Sequence, residues 1–495
     1  MLAQLEILPG PEEVAAAAAT HPLVALWTEI PAPELGPVEA FRALAGDGPG
    51  VILEELDLAG NPAGYSIVAG DPAALVLADG SGLRVEQLRP RLRLGEGAPA
   101  EASGGVQAAL NDLAERLRSR AVPGLPTLTG GLAGLLCYEA AELLDGYSHP
   151  RGRGRARVAP ISLLVLDRVV VFDHRRQVAV LVTHLPNNAD RSLGEAALEE
   201  MAGQLQGAAS TPMPEVPPPS RTLAAAPNIS REMFHQGVRR IQDDISAGEI
   251  HQAVFSRRLS VPAREGGLQI YRRLRRLNPS PAMFFLRVPG LELAGSSPGP
   301  LVKVQGRQAS TRPIFGTRRR GGSESEDQAL EQELMHDPEK LAQHAMLLDL
   351  SREDLSRVCR PGTVTSTRQL GVQRFPRVMH MVSEVSGELA EEKTAFDALS
   401  ALFPAATVTG APKRRAMEII AREEPTPRGP YAGACGYLSF AGDLEFCATI
   451  RAAVLSRGQV HVQAGAGIVS GSDPARELAD TEAKASAILA AVGGA

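Results

Sequence analysis

Two apolar runs in the first half of the chain have the composition of β-strands. They extend from Ile161 to Phe172 and from Gln177 to Thr183, and they are rich in Val, Ile and Leu. The charged sequence Asp-His-Arg-Arg separates them. Apolar, β-branched runs on either side of a short polar turn are typical of a β-hairpin. We therefore expect a hairpin that belongs to a sheet in this part of the chain.

A helical spacing of apolar residues begins after residue 230. Phe234, Val238, Ile241 and Ile245 recur every three or four positions, which places them on one face of a helix. Gly248 follows the last of them, and glycine is suited to end a helix because it adopts the left-handed conformation at no steric cost. The pattern predicts a helix over this segment.

The residues that follow this helix have the alternation of a strand. A strand that begins at Ile250 would carry Gln252, Val254 and Ser256 on one face, because side chains alternate between the two faces of a sheet.

Three further apolar segments lie near the C-terminus. They run from Tyr431 to Phe440, from Leu444 to Leu455 and from Gln459 to Val469, with short polar turns between them. Consecutive strands joined by tight turns form an antiparallel meander. Together with the predicted helices, this pattern favours an α+β fold over a doubly wound parallel sheet.

A proline-rich stretch divides the chain. Residues 208–229 contain six prolines among Ala, Ser and Thr and few core-forming residues, a composition typical of an extended, semi-rigid linker. The 495 residues are enough for two domains, or for one large intertwined domain. We assign residues 1–207 to an N-terminal α+β domain, 208–229 to the linker and 230–495 to a second domain.

The amino-acid composition and net charge indicate which class of protein this is. With 44% hydrophobic and 22% charged residues and a net charge of -6, the chain has the composition of a soluble globular protein, and no nucleic-acid partner is indicated. Its alanine run at Ala15–Ala19 is too short for a membrane span and follows acidic residues, so we expect no membrane segment and no export signal. Four widely spaced cysteines predict reduced, buried thiols in a cytoplasmic protein: Cys137, Cys359, Cys435 and Cys447.

Arg451 is a candidate binding residue. On the second C-terminal strand it would share a face with Glu445. A guanidinium can hold a carboxylate through two parallel hydrogen bonds, which makes a dicarboxylate ligand one interpretation. An internal salt bridge to Glu445 is the other, and these residues by themselves favour it.

A glycine motif and a lysine add to this candidate site. A turn at Gly465-Ala466-Gly467 would bring backbone N–H groups against a second carboxylate, although glycines in strands more often mark bulges or crowded packing. Lys413 would either add positive charge or cap a neighbouring element.

Short motifs in a fixed order carry a family resemblance. In the second half they are AGEIHQAVFS from Ala247, NPSPAMFF from Asn278, TRPIFGT from Thr311, HAMLLDLSRED from His344, VMHMVS from Val378, TVTGAPK from Thr407 and GPYAGACGYLSF from Gly429. Weaker matches in the first half are ILEELDLAGNPAGYSIVAGDP from Ile52 and GGLAGLLCYE from Gly130. The chain resembles the chorismate-utilising enzymes, above all the anthranilate synthase component I family.

This resemblance implies large antiparallel sheets flanked by helices. It makes residues 230–495 the chorismate-binding catalytic domain and residues 1–207 the effector and structural half. The implied reaction belongs to tryptophan biosynthesis: ammonia adds to chorismate, the ring hydroxyl leaves, and loss of pyruvate gives anthranilate. The implied partner is a glutamine amidotransferase subunit on a separate chain that supplies ammonia, in a homo- or hetero-oligomer. Magnesium on the ring carboxylate is the implied cofactor.

The resemblance also assigns roles residue by residue. The implied substrate-binding residues are Arg451, Tyr437, Gly465, Ala466, Gly467, Gly316, Thr317, Lys413 and Lys484. The implied catalytic residues are His380, Thr407 and Gln252, and an imidazole at His380 would take the ring proton during pyruvate loss. The implied metal ligands are Glu477 and Asp480.

Two positions exclude lysine chemistry found in related enzymes. Gln252 stands where isochorismate and salicylate synthases carry a lysine that activates water, and an amide cannot act as that base. Phe315 stands where aminodeoxychorismate synthases carry a nucleophilic lysine, so an adduct there is excluded. The ammonia-using anthranilate branch remains nearest.

Three acidic positions of the family are altered. Gly299 replaces a glutamate that assists departure of the hydroxyl, and Lys340 and Gln343 replace two glutamates directed at magnesium. Exchanging such ligands should weaken magnesium binding severely. Lys340 could instead neutralise a substrate carboxylate directly.

These changes leave two states of function open. The first is an ammonia-dependent lyase that forms anthranilate from chorismate. The alternative is a catalytically impaired homologue that binds chorismate or a partner protein, and a weaker alternative is an aminodeoxychorismate synthase component I.

Overall fold

Strands from both halves of the chain build two large antiparallel sheets. The structure is a computed structural model that describes residues 5–493 apart from 32–34, 58, 93, 95–104, 145–157, 211–212, 214–215, 217–223 and 375–377. Within these residues every strand pairing in the two sheets is antiparallel, and helices cover the outer faces. The predicted α+β class is confirmed.

The strands of the first half are β1 (Leu23–Pro31), β2 (Gly50–Leu56), β3 (Pro62–Gly70), β4 (Ala74–Asp79), β5 (Gly82–Gln87), β6 (Gly131–Leu136), β7 (Ile161–Leu166), β8 (Arg168–Asp173) and β9 (Val178–Pro186). Those of the second half are β10 (Ala226–Pro227), β11 (Gln252–Pro262), β12 (Ala282–Val288), β13 (Leu291–Ser297), β14 (Pro300–Gln305), β15 (Gln308–Thr311), β16 (Ile314–Arg319), β17 (Thr365–Arg374), β18 (Val378–Glu388), β19 (Gly410–Ala411), β20 (Ala434–Ser439), β21 (Leu444–Ala448), β22 (Ala452–Ser456) and β23 (Gln459–Ile468).

The helices are α1 (Pro11–Ala18), α2 (Pro37–Ala45), α3 (Gly105–Arg116), α4 (Ala141–Leu144), α5 (Arg191–Ala209), α6 (Arg231–Ser246), α7 (Gly267–Leu277), α8 (Glu324–His336), α9 (Pro338–Ser356), α10 (Ala395–Leu402), α11 (Lys413–Glu423) and α12 (Pro474–Val492). Single 3₁₀ turns occur at Tyr138–Ala140 and Ala406–Val408. Within the described residues, every helix is too short or too polar to span a membrane.

Each sheet joins one block of strands from the first half of the chain to one block from the second half. In the first sheet the order is β1-β9-β8-β3-β2-β12-β13-β22-β23-β11-β10, with β19 also on β11. In the second sheet it is β16-β18-β15-β14-β21-β20-β6-β7-β4-β5, with β17 also on β18. The halves meet at the β2–β12 and β6–β20 pairs. Residues 1–207 and 230–495 therefore share both sheets, and half of the predicted linker lies outside the described residues.

Adjacent residues on a strand point to opposite faces of the sheet and pack in different hydrophobic clusters. On β2, Val51 packs in a cluster that contains residues of both sheets, whereas the adjacent Ile52 packs in a cluster with α2, α5, α7 and α12. Phe284 and Phe285 on β12 divide in the same way. A third cluster joins the second sheet to α3, α4 and α10. Because both faces of the sheets are buried, the sequences of the central strands are continuous runs of apolar residues.

The helix predicted after residue 230 is confirmed as α6. The Ser230 hydroxyl caps it by accepting a hydrogen bond from the Met233 N–H at 3.2 Å, and Gly248 follows its end with a φ of 78°. Phe234, Val238 and Ile241 are fully buried on its inner face. The predicted next strand forms as β11, which begins at Gln252.

The predicted hairpin forms, but one of its strands is shorter than expected. β8 and β9 pair through Phe172 and Ala179, whereas the run from Ile161 to Phe172 divides at Asp167 into β7 of the second sheet and β8 of the first. Asp167 is buried and binds Arg91 at 2.8 Å. The apolar pattern continues through this crossing because both sheets are buried.

The C-terminal meander requires the same correction. The segment predicted as one strand from Leu444 to Leu455 divides into β21 in the second sheet and β22 in the first. The crossing occupies residues 449–451, so Arg451 does not share a strand face with Glu445. All four cysteines are buried free thiols, as predicted.

Candidate active site

A cleft of about 530 Å³ opens where the two sheets meet helices α9 and α12. Its walls come from β11, β16, β18 and β23, from the 3₁₀ turn at Ala406–Val408, and from the crossing that carries Arg451. Predicted site residues that line it are Gln252, Gly316, His380, Thr407, Arg451, Gly465, Gly467, Glu477, Asp480 and Lys484, and all four altered positions line it too: Gly299, Phe315, Lys340 and Gln343.

Arg451 owes its place in the cleft to the crossing between sheets. Its φ is +50°, a left-handed conformation that side chains other than glycine rarely adopt. This turn redirects the chain and aims the guanidinium at β18, where Nη2 donates to Nε2 of His380 at 3.0 Å. Glu445 instead lies beside Lys303 at 3.4 Å. The salt bridge between Arg451 and Glu445 is therefore absent from the described structure.

His380 is held as a neutral imidazole. Its Nδ1 lies 3.1 Å from the carbonyl oxygen of Gly316, and because that oxygen can only accept, Nδ1 carries the proton. Nε2 then accepts from the guanidinium, which can only donate. Burial first, and then the charge of Arg451, lower the pKa of His380 to about 3. The lone pair on Nε2 of His380 is thus already engaged by the Arg451 guanidinium.

The glycine motif lies within strand β23, which corrects the prediction of a turn. Gly465 and Gly467 pair with Ser256 and Val254 of β11, and a Cβ at Gly467 would lie 3.1 Å from Nε2 of Gln252. Glycine therefore leaves room for the Gln252 amide at the cleft floor. Ala466 points to the other side of the strand and is buried in a hydrophobic cluster, so its side chain does not line the cleft.

Tyr431 is a residue that sequence reasoning missed. A Cβ at Gly465 would lie 2.8 Å from its hydroxyl oxygen, so the phenol packs against the glycine strand. The Arg428 guanidinium lies 5.5 Å from the Tyr431 ring centroid. The available signal was its position in GPYAG, two residues after Gly429.

The structure does not bring Tyr437 to the cleft. On β20 it shares a face with Cys435, which looks into the core between the sheets, and its hydroxyl bonds to Thr127. Lys413 also lies outside the cleft lining. Its Nζ binds Asp354 of α9 at 2.8 Å and the Ala401 carbonyl near the end of α10 at 3.3 Å. Lys413 therefore connects α11 to these two helices. The side chain of Thr317 lies outside the described part of the structure.

Lys484 holds the two sides of the cleft base together. Its Nζ binds the carboxylate of Asp480 at 2.7 Å and donates to the carbonyl of Gly465 at 3.0 Å. Glu477, one helical turn before Asp480, accepts from the Ser472 hydroxyl at 3.0 Å. Burial raises the pKa of Glu477, and Ser472, Lys484 and Lys340 oppose that rise.

The residues present do not fit a magnesium site. Magnesium prefers an octahedron of oxygen ligands with one or two dedicated carboxylates. Within the described residues no group of three or more His, Cys, Asp or Glu could hold a metal ion. Asp480 is already engaged by Lys484, and the charge of Lys340 acts on Glu477. A cation between these carboxylates would compete with two ammonium groups.

The altered positions face the cleft. Lys340 and Gln343 lie on α9, and the Lys340 ammonium is 5.9 Å from the ring centroid of Phe315 on β16. The Oε1 atoms of Gln343 and of Gln252 are buried without a partner. At Gly299 a Cβ would meet only Ile314 at 3.6 Å and Arg312 at 3.9 Å. Packing therefore permits a side chain at position 299.

Comparison with known proteins agrees with this geometry. Residues 87–490 match the family described as chorismate binding enzyme. The anthranilate synthase component 1 of Streptomyces coelicolor is 39% identical over 98% of this chain and 92% of its own length. That of Acetivibrio thermocellus is 35% identical over 98% of both chains.

Solved structures give the same result. The crystal structure of anthranilate synthase component I from Streptococcus pneumoniae TIGR4 superposes with a TM-score of 0.73 at 31% identity, over 86% of this chain and 92% of the other. The isochorismate synthase MenF of Escherichia coli, at 19% identity and a TM-score of 0.69 over 97% of this chain and 98% of the other, shares the fold. The chain belongs to the chorismate binding enzymes, in the branch of anthranilate synthase component 1.

Proposed function

We propose that this chain catalyses the anthranilate synthase component 1 reaction, in which chorismate and ammonia give anthranilate, pyruvate and water. The observation that carries the proposal is the Arg451–His380 contact at 3.0 Å beside the glycine strand, in a cleft large enough for a small ring substrate. A carboxylate receptor and a positioned base are the two groups that this reaction needs most.

We assign substrate binding to Arg451, to Lys484 and to the cleft floor formed by β23. The Arg451 guanidinium offers N–H groups to one chorismate carboxylate. Gly467 leaves room for the Gln252 amide at the cleft floor, where this amide can contact the ring. Lys484 fixes the Gly465 carbonyl at 3.0 Å, which sets the position of this strand relative to α12.

His380 is the proposed base of the second step. Ammonia adds to the ring as the hydroxyl leaves as water, and His380 then takes the ring proton while the C–O bond to the enolpyruvyl group breaks. The ring becomes aromatic, and the released enolpyruvate gains a proton at its methylene carbon to give pyruvate. Its pKa of about 3 makes it a weak base before substrate binds. A carboxylate on Arg451 would neutralise the neighbouring charge, and this raises the basicity of Nε2 at the moment it is needed.

Ammonia is proposed to come from a partner chain. The name component 1 in the relatives denotes one part of a larger enzyme, and a glutamine amidotransferase subunit is the proposed second part. Localisation in the cytoplasm, where chorismate would be available, belongs to the same proposal.

Turnover is proposed to be slow. The cleft has no carboxyl group at Gly299 to protonate the leaving hydroxyl, and a positioned acid typically contributes about 10²–10⁴ in rate. Gly299, together with Lys340 and Gln343, also favours a second candidate, a homologue that binds chorismate with little turnover. Phe315 disfavours the aminodeoxychorismate alternative, because a phenyl ring cannot form the adduct that a lysine would.

Anthranilate fluorescence tests the proposal. Purified protein at high concentration is incubated with chorismate and excess ammonium, with and without magnesium. Anthranilate that appears in proportion to protein, and that is lost in His380→Asn, supports the lyase. A folded protein that binds chorismate and forms no anthranilate would leave the binding homologue in its place.

A further inference from the structure

Every carboxylate around the cleft already has a partner. Asp480 binds Lys484, Asp354 binds Lys413 and Asp337 lies 3.6 Å from Arg318. Glu477 accepts from Ser472, Glu339 from Gln343, and Asp473 caps α12 at the N–H of Arg476. The acidic lining is thus occupied by the protein's own donors.

Lys340 differs from these carboxylates because it has no salt-bridge partner among the described residues. It is half-buried in the cleft wall, and its ammonium makes no salt bridge or side-chain hydrogen bond with the described residues. The ammonium lies 5.9 Å from the centroid of the Phe315 ring, and its charge acts on the carboxyl group of Glu477. A half-buried ammonium without a salt bridge has lost part of its hydration, and a ligand anion would replace that loss.

Two amides lie in the same cleft with buried oxygens that lack a partner. They belong to Gln343, one turn after Lys340, and to Gln252 on the opposite wall. An amide oxygen without a donor is costly when buried, and a ligand hydroxyl or ammonium group would satisfy it. These atoms point independently to a polar ligand at this end of the cleft.

Charge at this wall explains how an anion is attracted. The charge of a divalent cation is largely cancelled by the two carboxylates that hold it. Lys340 beside the neutral Gln343 adds one positive charge to this wall without any ion, and within the described residues no salt bridge pairs it. With Arg451, the cleft therefore offers a second cationic contact to a ligand that carries two carboxylates.

We propose that this cleft binds a ring dicarboxylate of the chorismate class without a divalent cation, with the Lys340 ammonium in contact with the carboxylate that a metal ion would otherwise hold. The inference rests on the proposed function for the identity of the ligand. It assigns Lys340 as a binding residue, and Gln343 as the neutral neighbour that leaves the lysine charge available.

Isothermal titration of chorismate tests this directly. We expect the wild-type protein to bind with the same Kd in EDTA and in magnesium. Lys340→Met should weaken binding about ten- to hundredfold, the effect of losing one charge-assisted hydrogen bond. Lys393→Met is the matched control, because Lys393 is outside the cleft lining, and it should leave the Kd unchanged.

A gain-of-metal variant supplies the second measurement. Lys340→Glu combined with Gln343→Glu places two carboxylates on α9 opposite Glu477, and this protein should bind Mn²⁺ in an electron paramagnetic resonance titration where the wild type does not. Circular dichroism checks that each variant is folded.

The outcomes separate the two proposals. Wild-type protein that binds Mn²⁺ in the cleft, or that binds chorismate only with magnesium, would overturn the metal-free site and leave the proposed function intact. Absence of chorismate binding both in EDTA and in magnesium would overturn both.

Discussion

At Gly299 the cleft has room for a side chain that the sequence does not supply. The nearest atoms to a Cβ there, on Ile314 and Arg312, are at ordinary contact distances, and its φ is not in the left-handed region. The glycine is therefore a chemical change rather than a packing requirement.

Gly299→Glu should raise the rate of anthranilate formation. A carboxylic acid near the leaving hydroxyl can donate its proton, and we expect an increase of at least about tenfold. The rate is measured by anthranilate fluorescence at saturating chorismate and ammonium. Gly299→Gln fills the same space without a proton to transfer, so an equal gain in both variants would refute the acid role.

His380 should also make the protein less stable in acid. Its pKa is about 3 in the folded protein and near 6.5 in an unfolded chain, so between these values the unfolded state binds the extra proton. The free energy of unfolding then rises with pH through that window, by up to about 1.4 kcal/mol per pH unit.

Urea denaturation from pH 4.5 to 7 measures this dependence. His380→Asn removes the titrating group and should flatten the curve by roughly the contribution of one proton. His184, whose pKa is lowered to about 4 by burial, adds a similar slope that remains in the variant. An unchanged slope would mean that the ring is not held neutral.

At the scale of elements, a buried ion pair holds the parts of the cleft floor together. Glu424 and Arg428 lie 2.6 Å apart and are almost fully buried. Arg428 also donates to the carbonyls of Val408 and Val254, and Glu424 accepts from the hydroxyl of Ser256. The pair thus joins β11 to the 3₁₀ turn that carries Thr407.

Removing one partner of this pair should be strongly destabilising. Arg428→Met leaves the Glu424 charge buried without its partner, and we expect a loss of about 3–5 kcal/mol in the free energy of unfolding. The exposed pair Arg84–Glu86 is the control, because Arg84→Met should cost less than about 1 kcal/mol. Chemical denaturation measures both, and similar losses would contradict a structural role for the buried pair.

The elements also show what the sequence can and cannot indicate. Helix α6 and the β8–β9 hairpin were predictable because their periodicity and end signals are local. The crossings at Asp167 and at residues 449–451 were not, because apolar alternation continues while the chain changes sheets. In the site, motifs located Arg451 and Lys340. They also selected Tyr437, which the structure places in the core between the sheets, because a motif does not indicate which core a strand face meets.

At the scale of the whole molecule, the two halves complete each other's sheets. The β2–β12 and β6–β20 ladders cross between them, and the core between the sheets takes side chains from both. A separate half would expose long strand edges and an apolar face, which favour aggregation.

Residues 1–207 expressed alone should therefore be insoluble or unfolded. Co-expression with residues 224–495 should give a soluble complex, because the missing strands are then present. Size-exclusion chromatography and circular dichroism measure the result. A folded, monomeric N-terminal piece would show that the halves are independent domains after all.

The left-handed backbone at Arg451 has a consequence for the stability of the protein without a ligand. A residue with a Cβ in that conformation costs about 1 kcal/mol or more relative to glycine, and burial adds the cost of desolvating the guanidinium, which lowers its pKa. A glycine at this crossing would avoid both costs. The arginine therefore lowers the stability of the empty cleft, and a bound anion would recover part of that loss.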